Sequence, residues 1–167
     1  MIGPFVIIRD TREQQGFSFN HEFLGIIETP TVKSGTLKTG DYSLEGFESK
    51  LTIERKSLVD LFGSCGKNGR DRFEREFIRM AEFEYAALVI EADWTTIYKS
   101  PPQRSKLNPK NILRTLTAWH MRYNVHLWPC PSRKFAEKTT YLLLDRFYRD
   151  QLRGAANVAQ SIESINN

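Results

Sequence analysis

Apolar residues recur along the chain at two different spacings, and the spacing assigns the elements. Residues 4–9 (Pro-Phe-Val-Ile-Ile-Arg) form a β-branched and aromatic run too short for a helix, which predicts a buried strand ending at Asp10-Thr11-Arg12-Glu13. Residues 14–36 follow no consistent period and give no assignment. After Gly40, residues 41–45 and 51–56 flank Gly46-Phe47-Glu48, the layout of a β-hairpin. Ser57 to Asp60 fits a capping box that opens a short helix, which the glycine-rich stretch 63–69 should break. From about Asp71 to Phe83, Phe73, Phe77 and Met80 fall on one helical face, with Arg72, Arg75 and Arg79 outside it. Residues 85–92 (Tyr-Ala-Ala-Leu-Val-Ile-Glu-Ala) predict a central strand covered on both faces. Asn108-Pro109 is a cap with proline at the first helical position, opening a helix to about Tyr123 with Ile112, Leu116 and Trp119 inward. A further strand over 125–128 and a long helix from Ser132 to about Arg153 follow. The small, polar residues 154–167 are expected to fray. The pattern predicts one α/β domain over residues 1–153, with a mixed central sheet flanked by helices and a flexible tail over 154–167.

Composition narrows the chemistry. A chain of 167 residues that is 40% hydrophobic and 26% charged is ordinary for one globular domain, and no apolar run approaches the ~18 residues a membrane span needs. The N-terminus lacks the basic region and cleavage site of a signal peptide, so a cytoplasmic location, in a prokaryote or a phage-infected host, is expected. Cys65 and Cys130 match neither a disulfide framework nor a Cys-x-x-Cys metal pair, and His21, His120 and His126 have no zinc-site spacing. Any metal therefore needs oxygen ligands. The formal net charge of +4 favours a polyanionic partner.

The informative segment runs from Gly40-Asp41 to Ile53-Glu54-Arg55-Lys56. Side chains alternate along a strand, so Glu54 and Lys56 point one way while Leu51, Ile53 and Arg55 point the other. In a hairpin, Asp41 lies across from the Glu54–Lys56 end, and two carboxylates and one ammonium converge. Such a trio suits phosphodiester hydrolysis, because Asp41 and Glu54 are hard ligands for Mg²⁺ or Mn²⁺ and Lys56 can position a water or offset phosphate charge. A surface hairpin with cross-strand salt bridges accounts for the same residues more blandly.

Gly40-Asp41, then Glu54-Arg55-Lys56, then Asp60 resembles the G-D…E-R-K-x-x-x-D signature of the XPF-type structure-specific endonucleases. These belong to the restriction-endonuclease-like PD-(D/E)XK superfamily and include the archaeal helicase-associated nuclease. The likeness extends to Ile8-Arg9-Asp10-Thr11-Arg12-Glu13, to Asn68-Gly69-Arg70 and to Leu88-Val89-Ile90-Glu91. It implies a restriction-endonuclease-like fold and a Mg²⁺- or Mn²⁺-dependent DNA endonuclease acting near branches or junctions in repair or recombination. It implies Asp41, Glu54 and the Arg55 main-chain carbonyl as metal ligands, Asp10 as a further or water-mediated ligand, and Lys56 as the catalytic lysine. Arg12 and Glu13 match the charged cluster beside the metal, and Arg70 a position near the scissile phosphate. Asp60 is either the terminal acid of the motif or simply part of the capping box. The Arg55 side chain either orients the helix after residue 57 or touches DNA. Arg72, Arg75 and Arg79 either contact DNA or line a solvated helix face.

The resemblance also implies a homodimer through the last helix, whose Phe135, Tyr141, Leu142, Leu143, Leu144, Phe147 and Tyr148 exceed one core-facing stripe. The larger relatives carry a helix-hairpin-helix module, which is not visible here. A minimal nuclease is therefore expected, with few phosphate contacts, salt-sensitive binding, weak discrimination of branched DNA and room for a partner protein that supplies specificity. Two other readings use the same residues: a resolvase or restriction-type nuclease, and a non-catalytic DNA-binding scaffold. The second conflicts with retention of every motif carboxylate.

Overall fold

The alternation over residues 51–56 does produce a strand, and the rest of the sheet is organised around it. The structure, a computed structural model, describes residues 5–26 and 29–165; Pro4, at the start of the first expected strand, lies outside them. In chain order the elements are β1 (Val6–Asp10), α1 (His21–Leu24), β2 (Thr31–Gly35), β3 (Tyr42–Leu44), β4 (Leu51–Lys56), α2 (Leu58–Cys65), α3 (Arg70–Met80), β5 (Tyr85–Ile90), α4 (Trp94–Lys99), α5 (Pro109–Tyr123), β6 (His126–Pro129) and α6 (Arg133–Ile165). They build a six-stranded sheet in the order β2-β1-β3-β4-β5-β6. The β1/β3 and β3/β4 pairs are antiparallel, while β1/β2, β4/β5 and β5/β6 are parallel. The expected mixed sheet flanked by helices is therefore the observed architecture.

The sheet is buried on both faces. On one, Leu88 and Ile90 of β5 pack with Phe62, Phe73, Phe77, Leu116 and Trp119 of α2, α3 and α5. On the other, Ile53 of β4 and Ala87 and Val89 of β5 pack with Phe17, Tyr42, Ala136, Leu144 and Phe147, so α6 covers that side. Helix starts follow local chemistry: Ser57 and Asn108 cap α2 and α5 through their side chains, and Asn124 closes α5 in the left-handed conformation.

Several boundaries differ from expectation. β2, α1 and α4 went unassigned. α2 continues through Gly63 to Cys65. α6 continues twelve residues beyond Arg153, with helical backbone to Ile165 where a frayed tail was expected; one Gly costs about 1 kcal/mol in a helix, and Ala155, Ala156 and Ala159 are strong formers on its far side. Within α6, Leu144 and Phe147 are buried and Tyr141 and Tyr148 pack on Phe5, so the surplus apolar surface reduces to Phe135, Leu142 and Leu152. Both cysteines are free and buried. Among the described residues, no helix is long and apolar enough to cross a membrane.

Candidate active site

Gly40 sets the entry to the site. Its φ of 82° is in the left-handed region, and a Cβ there would lie 2.1 Å from Thr52 Oγ1 and 3.2 Å from the Ile53 oxygen, so only glycine allows the approach. The next residue is pinned on three sides: Asp41 N donates to Ile53 O at 2.9 Å, Asp41 O accepts from Asp10 N at 2.8 Å, and Asp41 Oδ2 accepts from Arg55 N at 2.8 Å. On β4, Glu54 Oε1 accepts from Lys56 Nζ at 2.7 Å, and that ammonium lies 4.8 Å from the centre of the Phe73 ring. Because Lys56 O accepts from Glu91 N on the β5 side, the Arg55 backbone faces the other way. Its N–H already meets Asp41, and its carbonyl shares that direction. Asp41, Glu54, Arg55 and Lys56 line one cavity of about 440 Å³, together with Arg12, Glu13, Asp60 and Arg72.

Glu76 belongs to the site although no motif marks it: it turns from α3 toward the sheet, with Oε2 3.8 Å from Lys56 Nζ. One ammonium thus serves three carboxylates. Burial pushes the Asp41 carboxyl up to about 6, although the Arg55 N–H holds it down. Glu54 is raised well above the usual range, by burial first and then by Asp41 beside it. For Lys56, burial works to lower the pKa, but Glu54, Glu76 and Asp41 outweigh it and the net shift is upward.

The opposite face of β4 is closed. Arg55, buried, donates from Nε to Glu13 Oε2 at 2.8 Å and from Nη1 to Glu91 Oε1 at 2.7 Å. Arg133 at the start of α6 donates to the same Glu91 oxygen at 2.5 Å and to the carbonyls of Gln15 and Gly16. Both guanidinium groups stand over Phe17, at 6.0 and 5.0 Å. The Arg55 side chain therefore neither orients α2 nor faces DNA; it ties β4 to the turn after β1 and to the end of β5.

The other candidate residues divide. Asp10, buried, is held by Arg12 Nε at 2.7 Å, Arg12 Nη2 at 3.0 Å and the N–H groups of Arg12 and Leu37 at 2.9 and 2.8 Å, which together keep its carboxyl below the usual range despite burial. Those bonds occupy the oxygens that a direct metal ligand would offer. Glu13 is engaged by Arg55 and by Gln15 N. Asp60 N donates to Ser57 Oγ at 3.1 Å and Asp60 Oδ2 accepts from the same hydroxyl at 2.6 Å, so the Ser57 cap forms but the acid meets its hydroxyl and not its N–H as a capping box would; the residue also lines the cavity. Arg70 is not on that wall: it donates to Thr115 at 2.7 Å and packs 5.1 Å from the Trp119 ring centre. Arg72 borders the cavity, Arg75 is exposed on α3, and Arg79 donates to Thr39 at 3.0 Å. Tyr42, next to Asp41, is fully buried against Phe17, and its hydroxyl accepts from Phe17 N.

The donor set fits a divalent cation. Around Lys56 the carboxylates of Asp41, Glu54 and Glu76 outnumber the ammonium, while the Arg12 and Arg55 guanidinium groups of the same cavity are bonded to Asp10 and to Glu13 and Glu91; a local surplus of buried negative charge is costly unless compensated. Among the described residues, no three His, Cys, Asp or Glu side chains gather closely enough to enclose an ion alone. Mg²⁺ does not require that, since it is commonly held by one or two carboxylates and keeps several waters.

The sequence matches the ERCC4 domain family over residues 9–143. Among solved structures, it resembles XPF from Aeropyrum pernix at 21% identity and a TM-score of 0.62, covering 87% of this chain and 61% of that one. A second structure, XPF from Aeropyrum pernix in complex with DNA, matches at 20% identity and the same TM-score of 0.62, over 90% of this chain and 66% of that one. The chain thus spans less than two thirds of these neighbours' length, and the likeness establishes a shared fold. No curated protein matches the sequence.

Proposed function

From the chain's membership of the ERCC4 domain family, we propose that it is a DNA endonuclease that requires Mg²⁺ or Mn²⁺ and acts on branched or junction-containing DNA. The observation that carries the reading is the convergence of Asp41, Glu54 and Lys56 on one cleft beside the Arg55 carbonyl. Asp41, Glu54 and that carbonyl would hold the cation, which when bound supplies charge for the phosphorane-like transition state and acidity for a water. The chain's own groups do the positioning. Lys56, steadied between Glu54 and Glu76 and against Phe73, offers N–H donors to a phosphate oxygen or the attacking water. Arg72, exposed at the rim, can hold a neighbouring phosphate. The Arg55–Glu91–Arg133 set keeps β4 still while this happens.

A homodimer through the exposed apolar residues of α6 belongs to the same proposal, as does a partner protein that adds specificity. Light scattering at micromolar concentration, with and without DNA, tests the dimer. Labelled duplex, flap, fork and four-way junction DNA, incubated with Mg²⁺, Mn²⁺ or EDTA, tests the activity. Cleavage that needs the cation supports the reading; binding without cleavage under every condition points to a scaffold.

A further inference from the structure

We propose that a second groove, beside the catalytic cleft, receives one unpaired nucleotide of the strand being cut. This rests on the endonuclease reading and adds to it a source of preference for DNA with single-stranded segments. The groove has a volume of about 370 Å³ and lies between the second half of α2 and the loop at residues 102–107. Phe62, Pro102 and Leu107 give it an apolar floor, and Lys67 and Arg104 stand at its edge. Val59 and Gly63 line both this groove and the catalytic cavity, so the two share a wall.

Three features converge on a nucleotide. The first is charge: the lining carries two cations and no carboxylate, and among the described residues neither Lys67 nor Arg104 has an ion-pair or hydrogen-bond partner. An apolar floor edged by cations matches a base and its phosphate. The second is continuity, because a strand with its phosphate at Asp41, Glu54 and Lys56 has its next residue within reach of the shared wall. Val59 stands at that boundary and is 66% exposed, so its apolar side chain is open to a base lying across the shared wall. The third is Gly63. It lies inside α2 without a positive φ, and a Cβ there would meet nothing within 4 Å. Alanine would fit and would favour the helix, so the fold does not need this glycine. What glycine leaves is bare backbone on the wall between the two cavities, where a ligand can come close.

A base in duplex DNA must be unpaired and unstacked before it can lie on this floor, whereas a base in a flap or fork arm is already free. The groove therefore selects for unpaired nucleotides next to the cut.

The test measures binding of the full chain by fluorescence anisotropy in EDTA, which prevents cleavage. The probes are a duplex, a flap of the same sequence and a flap whose first unpaired nucleotides lack bases. The flap should bind about tenfold more tightly than the duplex, and the abasic flap should lose most of that advantage. Gly63→Leu, which fills the shared wall, and the double variant Lys67→Ser/Arg104→Ser should each reduce the preference to about threefold or less. The double variant changes only exposed side chains, so a melting temperature equal to wild type shows that any loss is not a folding defect. Equal affinity for flap and duplex, full binding of the abasic flap, or variants that keep the preference would each overturn the groove. If duplex or flap is still cut with Mg²⁺, the endonuclease reading survives that result. Absence of binding and cleavage with every DNA overturns both.

Discussion

On one face of β4, two guanidinium groups, Arg55 and Arg133, meet two carboxylates, Glu13 and Glu91, at 2.5 to 2.8 Å. On the other face, Lys56 stands among Asp41, Glu54 and Glu76, and the exposed Arg12, bonded to Asp10, attracts Asp41 and Glu54 as well. The two sets are one residue apart in sequence, and apart from Arg133, which is 41% exposed, both are largely shielded from water. The difference is compensation. A balanced buried network can be rigid because every charge has a partner, whereas an unbalanced one persists only where something else supplies the missing charge. The first set therefore reads as scaffold and the second as the place for the proposed cation, and substitutions on the two faces should behave in opposite ways.

The largest effect is expected on the unbalanced face. Asp41→Asn and Glu54→Gln should each slow cleavage on the order of 10³-fold or more, about 4 kcal/mol of transition-state stabilisation. Single-turnover assays in Mg²⁺ check this, and near wild-type rates in either variant would remove the site. Binding of DNA in EDTA should stay close to wild type, because most phosphate contacts lie elsewhere. Without metal, both variants should melt higher than the parent at neutral pH, since each removes one of the three carboxylates crowded around Lys56 and keeps a hydrogen-bond acceptor in its place. Lys56→Met should also abolish cleavage but bind divalent cations at least as tightly, because it removes a positive charge from the cleft; titration calorimetry with Mn²⁺ measures that.

On the balanced face the sign reverses. Arg55→Met leaves Glu13 buried with no guanidinium and Glu91 with one instead of two. Breaking a buried pair in this way costs about 3–5 kcal/mol, so urea denaturation should show a large loss of stability. A variant as stable as wild type would mean that the network is not what holds β4.

The pH dependence of stability separates the faces again. Folding raises the Asp41 carboxyl from 3.8 to about 6, so its contribution is present in full below 3.8 and disappears as the pH rises through 6. The change amounts to at most about 3 kcal/mol. In EDTA the melting temperature should therefore fall across this window from the contribution of Asp41, and Mg²⁺, by holding the carboxylate ionised in the fold, should flatten that fall. Proton competition should weaken cation binding below about pH 6 in the same way. Identical profiles with and without the cation would separate Asp41 from the metal.

Much of this contrast was legible in the sequence. Alternation alone put Glu54 and Lys56 opposite Arg55, and the hairpin put Asp41 across from the end of β4. Cap residues located α2 and α5 because their signals are local. What stayed hidden depends on contacts distant in sequence. Glu76 looked like an ordinary helix-surface acid, since nothing in its neighbours says that α3 packs with that position over Lys56. Arg70 matched a motif, but the bond to Thr115 and the packing on Trp119 need α5 in place. β2 is an edge strand with mostly exposed side chains, so it carries no hydrophobic alternation to read.

The smallest predicted effect bears on Asp60, a carboxylate of the cleft that is engaged in a helix cap. Its Oδ2 accepts from Ser57 Oγ while its N–H donates to that oxygen, so the fold accounts for its side chain without chemistry. Ser57→Ala removes the cap and should cost about 1 kcal/mol of stability. Asp60→Asn keeps the N–H bond to Ser57 and an acceptor for its hydroxyl, so it should cost a few tenths of a kcal/mol. If capping is all Asp60 does, that variant should cleave within a few-fold of wild type in single-turnover assays. A hundredfold loss with the melting temperature unchanged would place Asp60 among the reacting groups, and would extend the unbalanced set from β4 and α3 onto the first turn of α2.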